Sequence, residues 1–360
     1  MNVPTDAAEN VVESVVVETR GHAGHIRLNR PKAINSLTLP MVHAMSEALA
    51  GFEDDADVAC VVLSGEGERG LCAGGDVRII HDLGKAGDPD VLRFWRDEFP
   101  LNYRIAHFSK PYVALMDGIV MGGGVGISAH GSHRIVTERT RLAMPETGIG
   151  YFPDVGATWL LPKAPGETGT WLGLTGNIVT AADAIHAGLA DWFVPSERLP
   201  GLVAELADVA DADAVEIVIR KHIGDAGGST VAANREKIDA AFRFDSVEEI
   251  IEALRHNTDV FSRDTLEILH KRSPTSLKLT LRLLRLGRES SSLMECLERE
   301  FAAGAEILRG HDFYEGVRAA LVDKDRNPRW SPATLDEVTE EDIRLYVTEH
   351  TGRLFPEHRL

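Results

Sequence analysis

Cysteine is scarce. The three residues, Cys60, Cys72 and Cys296, stand at scattered positions, a spacing that suggests neither a disulfide framework nor a zinc site. Basic residues are outnumbered: 38 Lys and Arg stand against 56 Asp and Glu, for a formal net charge of −18. That balance argues against general nucleic-acid binding, which needs a basic surface to neutralise phosphates. It leaves room for a small phosphorylated ligand held by a few local Lys or Arg side chains. No apolar segment reaches the length of a membrane span. The N-terminal stretch MNVPTDAAENVVESVV is acidic. It lacks the basic n-region of a secretory signal and the Arg-rich character of a mitochondrial presequence. The expected compartment is the cytoplasm, with no membrane or nucleic-acid partner. No repeat of fixed period is present. The glycine-rich loops carry neither the Gly-Lys-Ser/Thr of a Walker loop nor the later acidic residue of a dinucleotide fingerprint.

What is there is ordinary for a globular chain: 44% hydrophobic and 26% charged residues over 360 positions. That length allows one large domain, or a domain with a helical extension. Residues 1–10 read as a loose tail. The valine-rich run Val11 to Thr19 reads as a strand, with His25 to Asn29 as its hairpin partner across a turn at Gly21 and Gly24. Leu37 to Asp54 has helical spacing, with Met41, Met45, Leu49 and Phe52 on one face. Cys60 to Gly65 is a short buried strand, and a strand followed by glycines recurs at Leu71 to Asp76. Helical patterns over 77–108 break near Gly84 to Pro89. This alternation predicts α/β architecture with a parallel component. Further helices are expected at 166–174 and from Thr180, with an edge strand over Leu189 to Pro195. From about residue 199 the pattern turns helical: Leu202–Ala212, Val247–Leu254, Asp259–Lys271, Pro274–Leu286 and Leu293–Leu308.

The stretch 111–156 carries the chemistry. The apolar run Tyr112 to Val120 reads as one buried strand, leading into Met121-Gly122-Gly123-Gly124 and a small-residue segment, Val125 to Ala129, that starts a helix. Adjacent glycines let the backbone approach a ligand, and free N–H groups at a helix start favour oxygen carrying negative charge. Downstream, Glu146 and Asp154 sit among apolar and turn-forming residues rather than in charge runs. Each feature has an ordinary explanation alone: a tight turn, a first-turn carboxylate, a turn aspartate. Together they point to an oxyanion pocket facing one or two functional carboxylates.

Four ordered motifs resemble the crotonase (enoyl-CoA hydratase/isomerase) superfamily. They are Asn29-Arg30-Pro31-Lys32-Ala33-Ile34-Asn35, Leu71-Cys72-Ala73-Gly74-Gly75-Asp76, Met121-Gly122-Gly123-Gly124 and Met144-Pro145-Glu146-Thr147. Within it, Phe152-Pro153-Asp154-Val155-Gly156, Ser273-Pro274-Thr275-Ser276-Leu277-Lys278 and the run Arg309 to Arg318 resemble the 3-hydroxyisobutyryl-CoA hydrolase subfamily, enzymes of valine breakdown. The resemblance implies a crotonase-like β-β-α spiral over 11–200 and a helical C-terminal region over 201–360. It implies an acyl-CoA substrate, no separate cofactor, no metal, and often a homo-oligomer, although the helical C-terminus is placed to cover the usual contact surface. It implies that the N–H groups of Ala73 and Gly123 hold the thioester oxygen, with roughly 3–4 kcal/mol of transition-state stabilisation from each.

One departure matters. Hydratases of this family usually carry two glutamates; here the first position is Gly126 and the second is Glu146. Thioester hydrolysis needs one carboxylate and an oxyanion hole, so the residues fit hydrolysis better; the subfamily resemblance implies a short 3-hydroxyacyl-CoA as the substrate. The alternatives are an enoyl-CoA hydratase or isomerase using Glu146 alone, and a non-catalytic binding protein of the same fold. The resemblance implies catalytic roles for Glu146, Asp154, Ala73 and Gly123, and substrate contacts for Glu98, Gly74, Asp76 and Lys32 as well. Asp97 rivals Glu98, and a solvated helix-face charge is the other reading of Glu98. By resemblance Lys32 and Lys324 could approach the coenzyme's phosphates, but the favoured reading of both is an ordinary surface lysine. His130, His133, Cys72 and Ser128 read as structural.

Overall fold

A computed structural model describes residues 14–348 and 353–355. Residues 1–10 and the first three of the expected N-terminal strand lie outside them. β1 (Val15–Arg20) pairs antiparallel with β2 (Ala23–Leu28). α1 (Leu39–Asp54) then buries Met41, Met45, Leu49 and Phe52, the stripe that its spacing predicts. β3 (Cys60–Gly65) lies parallel to β2, and β4 (Gly70–Cys72) leaves it for a second sheet. α2 (Val77–Ala86) and α3 (Arg93–Ala106) follow.

The run Tyr112 to Val120 is not one strand. β5 (Tyr112–Met116) ends at Asp117-Gly118, and β6 (Ile119–Met121) belongs to the second sheet. Gly118 makes the crossing with φ +70°, and a Cβ there would sit 2.7 Å from Gly70 Cα. α4 (Gly123–Gly126) is a four-residue turn of helix, shorter and earlier than the expected segment from Val125. β7 (His133–Val136) and β8 (Arg141–Ala143) repeat the crossing. Each turn of the chain thus lays one strand in a six-stranded sheet, ordered β1-β2-β3-β5-β7-β9, and one in a three-stranded sheet, β4-β6-β8. β9 (Trp192–Phe193) closes the larger sheet at its edge, shorter than the expected Leu189 to Pro195. All ladders but β1·β2 are parallel. Parallel strands need cover on both faces. One face meets Leu202, Leu206, Val218 and Ile219, and the other meets the main core.

Beyond residue 198 the described structure is helical. It includes Val215–His222, Arg235–Phe242 and Glu340–Val347, which periodicity did not reveal. α5 (Pro274–Glu289), α6 (Leu293–Ile307) and α7 (Asp312–Val317) pack back on the spiral. Phe301 of α6 meets Phe99 of α3 edge-to-face, with centroids 6.5 Å apart; such a pair contributes roughly 0.5–1.5 kcal/mol beyond its buried area. The main cluster of buried apolar side chains runs from Val15 to Phe355, so helical region and spiral share one core.

Candidate active site

The site forms where two glycine loops abut. Asn35, buried and at φ +54°, accepts from Arg30 N–H and donates to the carbonyls of Glu66 and Gly70. That staples the first loop beside the second motif. A Cβ on Gly74 would sit 3.2 Å from the Met121 carbonyl, and one on Gly123 would sit 3.1 Å from Gly75 N. Only glycine allows the two backbones so close. Between them lies a cavity of about 210 Å³, lined by Ala73, Gly74, Gly75, Gly122, Gly123, Glu98, Glu146 and Asp154, with apolar walls that include Trp95, Phe313 and Leu321.

The structure corrects one donor. Ala73 N–H donates to the Ile34 carbonyl at 2.9 Å and is not free. Among the described residues, the N–H groups of Gly75 and Gly123 have no acceptor, and both residues line the cavity. Gly123 opens α4, where a first-turn N–H has no intrahelical partner. The two free N–H groups at the cavity are therefore those of Gly75 and Gly123. Asp76 is also corrected: it lies outside the cavity lining, paired with Arg30 at 3.3 Å, which ties the first two motifs together. Lys32 and Lys324 are exposed and likewise outside the lining.

Three carboxyl groups enter the cavity. Glu98 is 1% exposed, and its Oε1 has no partner. Its rival Asp97 points elsewhere, bonded to His43 at 2.7 Å. Glu146 Oε2 is likewise unpartnered. Burial pushes both glutamates up to about 8. Asp154 is held well above the carboxylate range by burial first, then by the charges of Glu98, Glu146 and Glu300. Tyr151 adds a fourth polar group, its hydroxyl unpartnered and its ring stacked on Trp95 at 5.3 Å. Polar groups left unpaired in a buried cavity are expensive, so their convergence marks a site built for a polar ligand.

The remaining candidates are structural. His130 donates from Nε2 to the Val155 carbonyl at 2.7 Å and is pushed down to about 4 by burial. Ser128 Oγ donates to the Gly124 carbonyl. His133 stacks on Trp192. Cys72 is fully buried, its thiol pushed up to about 12, which leaves it no thiolate at neutral pH. Gly126 is tightly enclosed: a Cβ there would sit 2.6 Å from Val155 Cβ and 3.0 Å from Asn102 Nδ2. No second glutamate fits at that position.

The raised carboxyls have a consequence for stability. Glu98 and Glu146, both raised to about 8, hold protons in the folded chain that the unfolded chain releases near 4.5. The folded state then binds more protons between those limits, so their contribution is full below the unfolded values and is lost as pH rises through the folded ones. The ligand-free protein is expected to melt at a higher temperature near pH ~6 than near pH ~8.5. Glu98→Gln and Glu146→Gln should each flatten that slope. Thermal scans across the window check this, and an unchanged slope in both variants contradicts it.

A family model described as enoyl-CoA hydratase/isomerase matches residues 23–347. The chain is 42% identical over 346 residues to a chicken (Gallus gallus) protein named 3-hydroxyisobutyryl-CoA hydrolase, mitochondrial, covering 94% of this chain and 89% of the relative. A human (Homo sapiens) protein of the same name is 42% identical over 350 residues, with 95% and 89% covered. Among solved structures, a Mycobacterium thermoresistibile protein titled carnitinyl-CoA dehydratase superposes with a TM-score of 0.91 at 44% identity, covering 96% of this chain and all of that one. A Rhodobacter sphaeroides 2.4.1 protein titled enoyl-CoA hydratase gives 0.85 at 40% identity, with 93% and 97% covered. With its β-β-α spiral, abutting glycine loops and helical C-terminal region, the chain belongs to the enoyl-CoA hydratase/isomerase family, of crotonase fold.

Proposed function

We propose that the protein hydrolyses a short 3-hydroxyacyl-CoA thioester, 3-hydroxyisobutyryl-CoA foremost, to the free hydroxy acid and coenzyme A. The observation that carries this is the enclosed Gly126: where a hydratase places the first of its two glutamates, Val155 and Asn102 already fill the space. One carboxylate, Glu146, then faces the free N–H groups of Gly75 and Gly123 in the cavity. Those two donors take the oxygen of the thioester carbonyl. Glu146 as a carboxylate either removes a proton from the attacking water or attacks the carbonyl carbon itself. The carbonyl becomes a tetrahedral oxyanion, held by the two N–H groups. It collapses by breaking the C–S bond, and coenzyme A leaves as a thiolate that takes up a proton; where Glu146 is the nucleophile, water then cleaves the mixed anhydride to the hydroxy acid and the Glu146 carboxylate. Asp154, kept neutral by burial among like charges, has a proton to give. The relatives named as 3-hydroxyisobutyryl-CoA hydrolases support the same substrate and a place in valine breakdown.

The two structures with hydratase and dehydratase titles favour a second reading, in which Glu146 alone serves addition of water to an enoyl-CoA. Paired assays separate them: release of free thiol from 3-hydroxyisobutyryl-CoA, and loss of enoyl absorbance from crotonyl-CoA. Thiol release with unchanged enoyl absorbance is expected, and the reverse pattern overturns the hydrolase reading. The reaction as proposed needs no metal or cofactor. Thiol release should persist in the presence of a chelator, and loss restored by a divalent metal would refute that part. Among the described residues no helix is long and apolar enough to cross a membrane. Cytoplasmic residence is part of the proposal, and the mitochondrial names of the relatives are its rival. Fractionation of the tagged full chain decides between them.

A further inference from the structure

Glu300 is fully buried, yet it lies outside the cavity lining. It stands on α6 at the spacing of Leu293, Leu297 and Gly304, the face turned to the core. Its Oε2 accepts from Gly156 N–H at 2.7 Å, and its Oε1 accepts from Thr158 N–H at 3.0 Å and the Thr158 hydroxyl at 2.5 Å. These donors directly follow Asp154. The residue between, Val155, stands at φ +53°, and Gly156 stands at φ +81°. A β-branched residue in the left-handed region is held only by what surrounds it. Here His130 holds the Val155 carbonyl from one side, and Glu300 holds the next N–H from the other. Val155 in turn lines the cavity and fills the space beside Gly126.

We infer that Glu300 is a positioning residue: it clamps the Val155-Gly156 turn from the helical C-terminal region, and so sets where Asp154 presents its carboxyl to the substrate. The inference rests on the hydrolase reading for the role of Asp154. A plain packing role on this face of α6 would be met by leucine, because a buried carboxylate is tolerated only where donors satisfy it. The clamp needs an acceptor at both oxygens. In Glu300→Gln, the amide NH₂ must face the N–H of either Gly156 or Thr158, so one arm of the clamp becomes repulsive while the volume is kept.

The test is a double-mutant cycle with Asp154→Asn, read as kcat and KM for thiol release from 3-hydroxyisobutyryl-CoA. Glu300→Gln alone is expected to lower kcat by ~10- to 100-fold with little change in KM, as misplacement of a working group does. In the Asp154→Asn background the same substitution should change kcat by less than ~2-fold, because the group it positions has already lost its acid. Equal losses in the two backgrounds overturn the clamp and leave Glu300 a stability residue. A loss in Asp154→Asn beside a fully active Glu300→Gln also overturns the clamp alone. Full activity in Asp154→Asn removes both the clamp and the hydrolase role of Asp154. Should Glu300→Gln not fold, Thr158→Val deletes one of the three bonds and runs the same cycle. A smaller loss that vanishes in the Asp154→Asn background supports the clamp, and an additive one refutes it.

Discussion

Glu146→Gln is expected to lower the turnover of 3-hydroxyisobutyryl-CoA by at least ~10²–10⁴-fold, the range for loss of acid–base catalysis. The amide keeps the shape of the side chain but cannot take a proton from water, and it cannot attack the thioester carbon. Affinity for the substrate should change far less than turnover, because the proposed contacts to the carbonyl oxygen belong to Gly75 and Gly123, and the amide can still hydrogen-bond a substrate hydroxyl. The fold should tolerate the change well. Burial already holds the Glu146 carboxyl near 8, so a neutral group sits there at least as easily as the acid. Asp154→Asn should be milder, with a loss of ~10- to 100-fold, since its acid assists a thiolate that can also leave unaided. Single-turnover kinetics with melting temperatures on both variants measure this. If Glu146 were only a first-turn carboxylate of the short helix Glu146–Ile149, turnover would survive and stability would fall slightly. That outcome would remove the central claim. Trapping the labelled acyl group with hydroxylamine then separates attack by Glu146 from activation of water.

Much of this site was legible in the chain itself. Glu146, Asp154, Gly74 and Gly123 stand in motifs whose order is informative, and the structure gathers all four at one cavity. The free N–H beside Gly123 belongs to Gly75, two residues beyond the expected Ala73. Ala73 looks available in sequence because nothing there reveals that Ile34, in a loop almost forty residues earlier, supplies its acceptor. The same blindness to long-range partners applies to Asp76, which Arg30 occupies. Sequence leaves Glu98 and Asp97 as rivals because neighbours on a helix differ only in the face they present; in the structure His43 takes Asp97 and Glu98 lines the cavity. Tyr151 and Asn102 gave no sign, since an aromatic or an amide in an apolar setting reads as packing. Glu300 did leave a signal. A carboxylate in register with Leu293, Leu297 and Gly304 breaks the apolar face of an amphipathic helix, and such a break calls for a buried partner. The crossing at Asp117-Gly118 was hidden for a different reason. Both strands flanking it are buried and apolar, so periodicity cannot show where one sheet ends and the other begins.

The largest effect expected is on substrate choice. The specificity constant for 3-hydroxyisobutyryl-CoA should exceed that for isobutyryl-CoA by ~10⁴-fold, as for sites built to hydrogen-bond a hydroxyl that the analogue lacks. The cavity is small, about 210 Å³. Its walls are largely apolar, yet Glu98 Oε1, Glu146 Oε2 and the Tyr151 hydroxyl are buried in this site without partners. A substrate hydroxyl satisfies some of them. The deoxy analogue buries them again unpaired, at a cost of roughly 1–3 kcal/mol for each group left unsatisfied. Two such groups account for most of the expected ratio. A methyl group is worth far less: 3-hydroxypropionyl-CoA keeps the hydroxyl and loses only about 0.8 kcal/mol of apolar burial, so it should be cleaved within roughly tenfold of the preferred substrate. Glu98→Gln, which alters one of the groups facing the hydroxyl, should compress the ratio from the hydroxylated side. Measured specificity constants for the three thioesters decide the matter, and equal values for the hydroxylated and deoxy substrates would refute hydroxyl recognition while leaving thioester hydrolysis standing.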